Sequence, residues 1–122
     1  MTETSRPTRI DGPRHLLAAG SYSLGGLRRL WRETAFRHEL AGGAMAAALL
    51  ALRGAERWEM AVFAVLFLLL IAVEALNTAI EVLVDRVSPG WSEAARDAKD
   101  LGSLAVLCVL AGDALFLILA LL

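Results

Sequence analysis

The chain has 122 residues, of which 57% are hydrophobic and 20% charged, with a net charge of −1. That length allows one domain, and that apolar share is too high for a water-soluble one. The near-neutral charge leaves no electrostatic footprint for nucleic acid. A single cysteine, Cys108, excludes a disulfide framework and a cysteine-based metal site.

Residues 1–13 mix Thr, Arg, Pro and Gly without periodicity and read as a mobile tail. The first 39 residues are polar and basic, so no secretory leader is expected. Over about 14–33, Leu16, Leu17, Leu24, Leu27, Leu30 and Trp31 recur near helical spacing beside Arg28, Arg29 and Arg32. That pattern predicts a basic amphipathic helix lying on a membrane surface. Within it, Gly20 to Gly26 reads GSYSLGG, which begins like a phosphate-binding loop but lacks the Lys-Ser/Thr ending. A nucleotide site in this chain must therefore be built differently.

Three apolar segments follow, predicted to span a membrane over about 34–52, 60–85 and 93–121. The first has only 13 apolar residues, Leu40 to Leu52, and reaches spanning length only by recruiting Thr34 to Glu39. Its small residues, Ala41 to Ala44 and Ala46 to Ala48, suit close helix packing. The second, Met60 to Val84, makes roughly 37 Å of helix. Pro89-Gly90 interrupts the chain, and Ser92 is placed to cap the third helix. Trp31, Trp58 and Trp91 all fall at predicted interfaces. The N-terminal arm and the Arg86 to Lys99 connection together hold ten Lys and Arg, against two in the Arg53 to Glu59 turn. The positive-inside tendency puts the first two on the cytoplasmic side.

The end of the second segment departs from its apolar surroundings. Glu74, Asn77, Thr78, Glu81 and Asp85 fall at i, i+3, i+4, i+7 and i+11, within an arc of about 100°. Carboxylates in a membrane-length segment are costly and mark function. Glu33, Asp97, Lys99, Asp100 and Ser103 approach the same cytoplasmic interface. Hard cations such as Mg²⁺ take carboxylate oxygens with substrate phosphates, and a lysine can neutralise phosphate charge. Together these are the parts of phosphoryl transfer: metal, positive clamp and base. Asp113 lies mid-span in the third segment, outside this group, and is expected to make a structural contact.

Three stretches carry a family resemblance: Glu33-Thr34-Ala35-Phe36-Arg37, then Glu74-x-x-Asn77-x-x-x-Glu81-x-x-x-Asp85-Arg86, then Ala98-Lys99-Asp100-Leu101-Gly102-Ser103. They resemble the signatures of the small prokaryotic diacylglycerol kinases over about residues 14–110. The resemblance implies an all-α membrane protein with a surface helix and three transmembrane helices, assembled as a homotrimer in the bacterial inner membrane with its site facing the cytoplasm. It implies an enzyme that uses MgATP to phosphorylate diacylglycerol to phosphatidic acid. By motif, Glu74 is the expected catalytic base, and Glu33 and Glu81 the metal carboxylates. ATP is expected at Tyr22, Glu33, Asn77, Glu81, Gly90, Trp91, Ser92, Lys99 and Asp100. The lipid is expected along Arg28, Trp31, Ala35, Phe36, Arg37, Glu39, Glu74 and Ser103. Two other readings stay open: an undecaprenol kinase of the same family, and a nonenzymatic proton-relay subunit using Glu74 and Glu81.

Overall fold

A computed structural model describes residues 8, 9 and 11–122, so residues 1–7 and 10 of the expected tail lie outside the described residues. The described chain is all-helical: α1 (Pro13–Leu30), α2 (Thr34–Arg53), α3 (Arg57–Val87) and α4 (Glu93–Leu121). α1 opens with Pro13 at its first position, where a missing N–H costs nothing, and ends on Arg28 and Arg29, which complement the helix dipole. It stops three residues short of the expected end. Trp31 and Glu33 turn their backbone N–H groups back onto the carbonyls of Leu27 and Leu30, each at 2.9 Å. Glu33 is thereby extended, and it becomes the residue preceding α2 rather than part of a surface helix. The GSYSLGG stretch is helical within α1, so it forms no phosphate-binding loop.

The turn between α2 and α3 is rigid for local reasons. Gly54 ends α2 with φ +81°, a left-handed conformation that glycine adopts without steric cost. Glu56 and Glu59 then form a reciprocal capping box at the start of α3. Arg53 donates to Glu59 at 2.6 Å, and the Trp58 indole donates to Glu56 at 2.9 Å. At the other end, Ser92 caps α4 as the sequence predicts, its hydroxyl accepting from the Ala95 N–H at 3.1 Å.

α3 and α4 are the main packing pair, with α2 laid against both. An apolar cluster of Ala46, Leu50 and Phe63, joined by Phe116, Leu117 and Ala120, closes the end of the bundle remote from Lys99. Of the predicted spans, α3 and α4 are each long and apolar enough to cross a membrane. Only 17% of the most apolar window of α3 and 6% of that of α4 is buried within the chain. Helices this apolar and this uncovered need lipid or other protein around them. α2 does not reach the same apolarity, because Arg37, His38 and Glu39 occupy its first two turns and Ala and Gly fill its middle.

α2 approaches α3 closely at Gly43, where an added Cβ would collide with the Phe67 ring. Replacing Gly43 with leucine should push α2 off α3 and destabilise the bundle by about 1–3 kcal/mol. Thermal unfolding in detergent reads this, with Gly42→Leu, which faces open space, as the control.

Candidate functional site

The predicted polar face of α3 is present, and it is graded along the helix. Glu74 and Thr78 are buried, each 6% exposed, Asn77 and Glu81 are half-buried, and Asp85 is exposed. One helix face thus runs from protein-shielded apolar surroundings to water within three turns. Glu74 lies within coulombic range of both Glu81 and Glu33, so α1–α2 and α3 bring their carboxylates to one region. Glu39 lies within range of Glu74 in turn.

Each of these groups is held differently. Glu33, extended at the α1–α2 junction, accepts from the Arg29 guanidinium at 2.6 Å. The Asn77 amide donates to Glu81 at 3.4 Å, a long contact that aims the carboxylate. The other end of that amide, Asn77 Oδ1, is buried without a partner. Its position is set by Gly102 on α4, where any Cβ would collide with that oxygen. A Cβ at 102 would force that amide end to shift.

A cavity of about 370 Å³ lies between the end of α3, the 88–92 loop and the start of α4. Gly90, Trp91, Ser92, Lys99 and Asp100, all predicted ATP contacts, line it together with Asp85 and Arg96. The loop is braced by Ser88, whose hydroxyl meets the Ser92 hydroxyl at 3.0 Å. Lys99 pairs with Asp85 at 2.6 Å. That hydrogen bond holds the Lys99 ammonium beside the cavity. Arg96 was missed by motif reasoning, although a second cation three residues before Lys99 on the same helix side is a readable signal. Its guanidinium meets Asp97 at 3.0 Å and leaves it half-exposed at the cavity wall.

The remaining predicted residues do not all converge. Tyr22 is 69% exposed on α1 and, like Glu33, Asn77 and Glu81, does not line that cavity. Of the predicted lipid contacts, Arg28, Trp31, Ala35, Arg37 and Ser103 lie on exposed faces. Phe36 is 1% exposed and packs inside the chain. Glu39 is half-buried and lines a separate cavity between α2, α3 and α4.

Among the described residues no three His, Cys, Asp or Glu side chains gather into a cation cage. Mg²⁺ is commonly held by one or two carboxylates with substrate phosphates, and Glu33 and Glu81 supply hard oxygen donors of that kind. The donor set fits such a cation.

Gly102→Ala should displace the Asn77 amide and separate α3 from α4 at the site, with a stability loss of about 1–3 kcal/mol. Thermal unfolding of Gly102→Ala beside Gly112→Ala, which meets nothing, checks that the effect belongs to the Asn77 contact.

Comparison with known proteins places the chain in a family. A family model described as prokaryotic diacylglycerol kinase matches residues 21–121. A diacylglycerol kinase of a Sinorhizobium species is 52% identical over 114 residues, covering 93% of this chain and 83% of the relative. A diacylglycerol kinase of Haemophilus influenzae is 37% identical over 84% of this chain and 87% of its own. That of Escherichia coli K12 is 36% identical over 75% of this chain and 76% of its own. The matched region takes in α2, α3, α4 and the whole polar face, and the chain belongs to the prokaryotic diacylglycerol kinase family.

Proposed function

We propose that the chain is a membrane-embedded lipid kinase that transfers the γ-phosphate of ATP to diacylglycerol, giving phosphatidic acid. The observation that carries this reading is the graded face of α3. Its buried Glu74 lies toward the apolar helix body, and its Glu81 and Asp85 lead to the cationic cavity at Lys99. A lipid alcohol and a water-soluble nucleotide can meet only along such a face. The relatives named diacylglycerol kinase supply the acceptor.

In the proposed reaction, Glu74 accepts the proton of the lipid hydroxyl as its oxygen attacks the γ-phosphorus. The bond from that phosphorus to the bridging oxygen breaks, and ADP leaves. Lys99 offsets phosphate charge, with Arg96 beside it, and the 88–92 loop bounds the nucleotide. Glu33 and Glu81 would hold Mg²⁺, which when bound neutralises phosphate charge during transfer. Asn77 aims Glu81 and is itself held in place by the close approach of Gly102.

The proposal extends to a third span in α2, a surface-lying α1 and a homotrimer in the inner membrane with the nucleotide side cytoplasmic. The basic residues on one side, the uncovered apolar faces of α3 and α4, and the exposed apolar side chains Leu16 and Leu17 of α1 support that placement. Predicted contacts left on outer faces, Arg28 and Ser103 among them, suit a site completed by a neighbouring copy.

Purified protein given MgATP and diacylglycerol should form radiolabelled phosphatidic acid. Glu74→Gln should lower turnover by about 10²–10⁴-fold while leaving thermal unfolding in place. Robust transfer by that variant would remove Glu74 as the base, and preferential labelling of undecaprenol would move the chain to the polyprenol branch.

A further inference from the structure

The polar arc of α3 holds one side chain that the reaction above leaves without a task. Thr78 is 6% exposed, as deeply covered as Glu74 one turn before it. The side-chain hydrogen bonds of this region join Arg29 to Glu33, Asn77 to Glu81 and Lys99 to Asp85, and among the described residues none takes up the Thr78 hydroxyl. A helical serine or threonine commonly satisfies itself on the carbonyl four residues back. Ser23 does this on α1, donating to the Ala19 carbonyl at 3.0 Å, whereas Thr78 makes no such bond to Glu74. A buried hydroxyl left without a partner is costly, and a ligand oxygen that accepts from it recovers that cost.

The place of Thr78 on the arc narrows what that acceptor is. Thr78 stands about 6 Å along α3 from Glu74, and Glu81 stands about 4.5 Å beyond it. The Cα–Cβ bonds of a helix tilt toward its N-terminus, so Thr78 leans back into the interval between the two acids. Glu81 leans the same way, since the Asn77 amide donates to its carboxylate at 3.4 Å. A phosphoryl group that leaves a nucleotide held at Glu81 for an oxygen held at Glu74 crosses that interval. Its oxygens carry negative charge and need donors. The two acids, acting as base and metal ligand, are ionised and only accept, and the Asn77 amide nitrogen is turned to Glu81. Between Glu74 and Glu81 the chain carries a single hydroxyl, that of Thr78.

We propose that Thr78 is a further catalytic residue, whose hydroxyl donates a hydrogen bond to an equatorial oxygen of the γ-phosphoryl group as that group passes to the lipid alcohol. The inference rests on the reading of the chain as a lipid kinase. Thr78 keeps its proton throughout. The lipid oxygen forms the new bond to phosphorus, the bond to the bridging oxygen of ADP breaks, and the proton of the lipid hydroxyl goes to Glu74. The Thr78 contact is made with the group in transit and not with bound ATP, so it raises kcat and leaves the binding of both substrates unchanged.

The test uses the full chain in detergent, with Thr78→Val to remove the hydroxyl and keep the branched shape, and Thr78→Ser to keep the hydroxyl. With MgATP and diacylglycerol, Thr78→Val should lower kcat about 10- to 100-fold, the range for losing a hydrogen bond to a charged group. Both KM values should stay within about twofold of the wild type. Thr78→Ser should recover most of the rate, and Thr78→Ala, which also lacks the hydroxyl, should behave as Thr78→Val does. A second readout needs no turnover: calorimetric titration of MgADP with and without aluminium fluoride, which stands in for the transferring phosphoryl group. Thr78→Val should bind MgADP as the wild type does and lose about tenfold of the tightening that aluminium fluoride brings. Unimpaired kcat in both Thr78→Val and Thr78→Ala would overturn the role. So would a raised KM with kcat unchanged, or an equal loss in Thr78→Ser, either of which would make Thr78 a packing contact. A wild type that transfers no phosphate to diacylglycerol removes the kinase reading and this role with it, whereas transfer by the wild type beside full activity in the variants removes the role alone.

Discussion

A carboxyl group on a hydrocarbon-spanning helix has to be shielded from lipid by protein, and the architecture follows from doing this for Glu74. α3 turns one polar arc inward, and α4 and α2 cover it. Coverage on the α4 side depends on Gly102, whose missing Cβ lets the α4 backbone approach Asn77. Coverage on the α2 side depends on Gly43, which admits the Phe67 ring. Without those two contacts the arc would face lipid or loosen, and in either case Glu74 would lose its surroundings. The price is an uncovered apolar exterior on α3 and α4, which the bilayer and neighbouring copies are suited to fill.

The same helix carries the gradient that function requires. Over the three turns from Glu74 to Asp85, side chains pass from buried to exposed, and the Lys99–Asp85 pair ties the exposed end to α4. Chemistry between a lipid and a nucleotide then needs no moving domain to bring them together, because one rigid face already touches both phases. The charge pattern fits this division. Carboxylates without cationic partners occupy the deep end, whereas Lys99 and Arg96 stand at the open cavity.

Much of this was legible in the sequence, because helical periodicity is a local property. The α3 arc follows from spacing alone, Ser92 caps α4 through a bond three residues away, and Pro89-Gly90 breaks the helix where it should. The end of α1 was misjudged by three residues, since the Trp31–Glu33 turn is made by backbone bonds that no side-chain pattern announces. What depends on the pairing of distant helices was not legible. Gly102 read as a motif letter, and only the α3–α4 approach shows that it holds Asn77. Asp113 and Glu39 are 74 positions apart and meet one cavity only because α2 lies across both partner helices.

The central claim is that the α3 face divides its labour, with Glu74 serving the lipid and Glu81 the nucleotide. Calorimetric titration of MgATP into the purified wild type, Glu74→Gln and Glu81→Gln measures that division without turnover. Glu74→Gln should bind MgATP within about twofold of the wild type, and Glu81→Gln should bind at least tenfold more weakly, a loss of about 1.4 kcal/mol. Weakened binding in Glu74→Gln together with unchanged binding in Glu81→Gln would contradict the account.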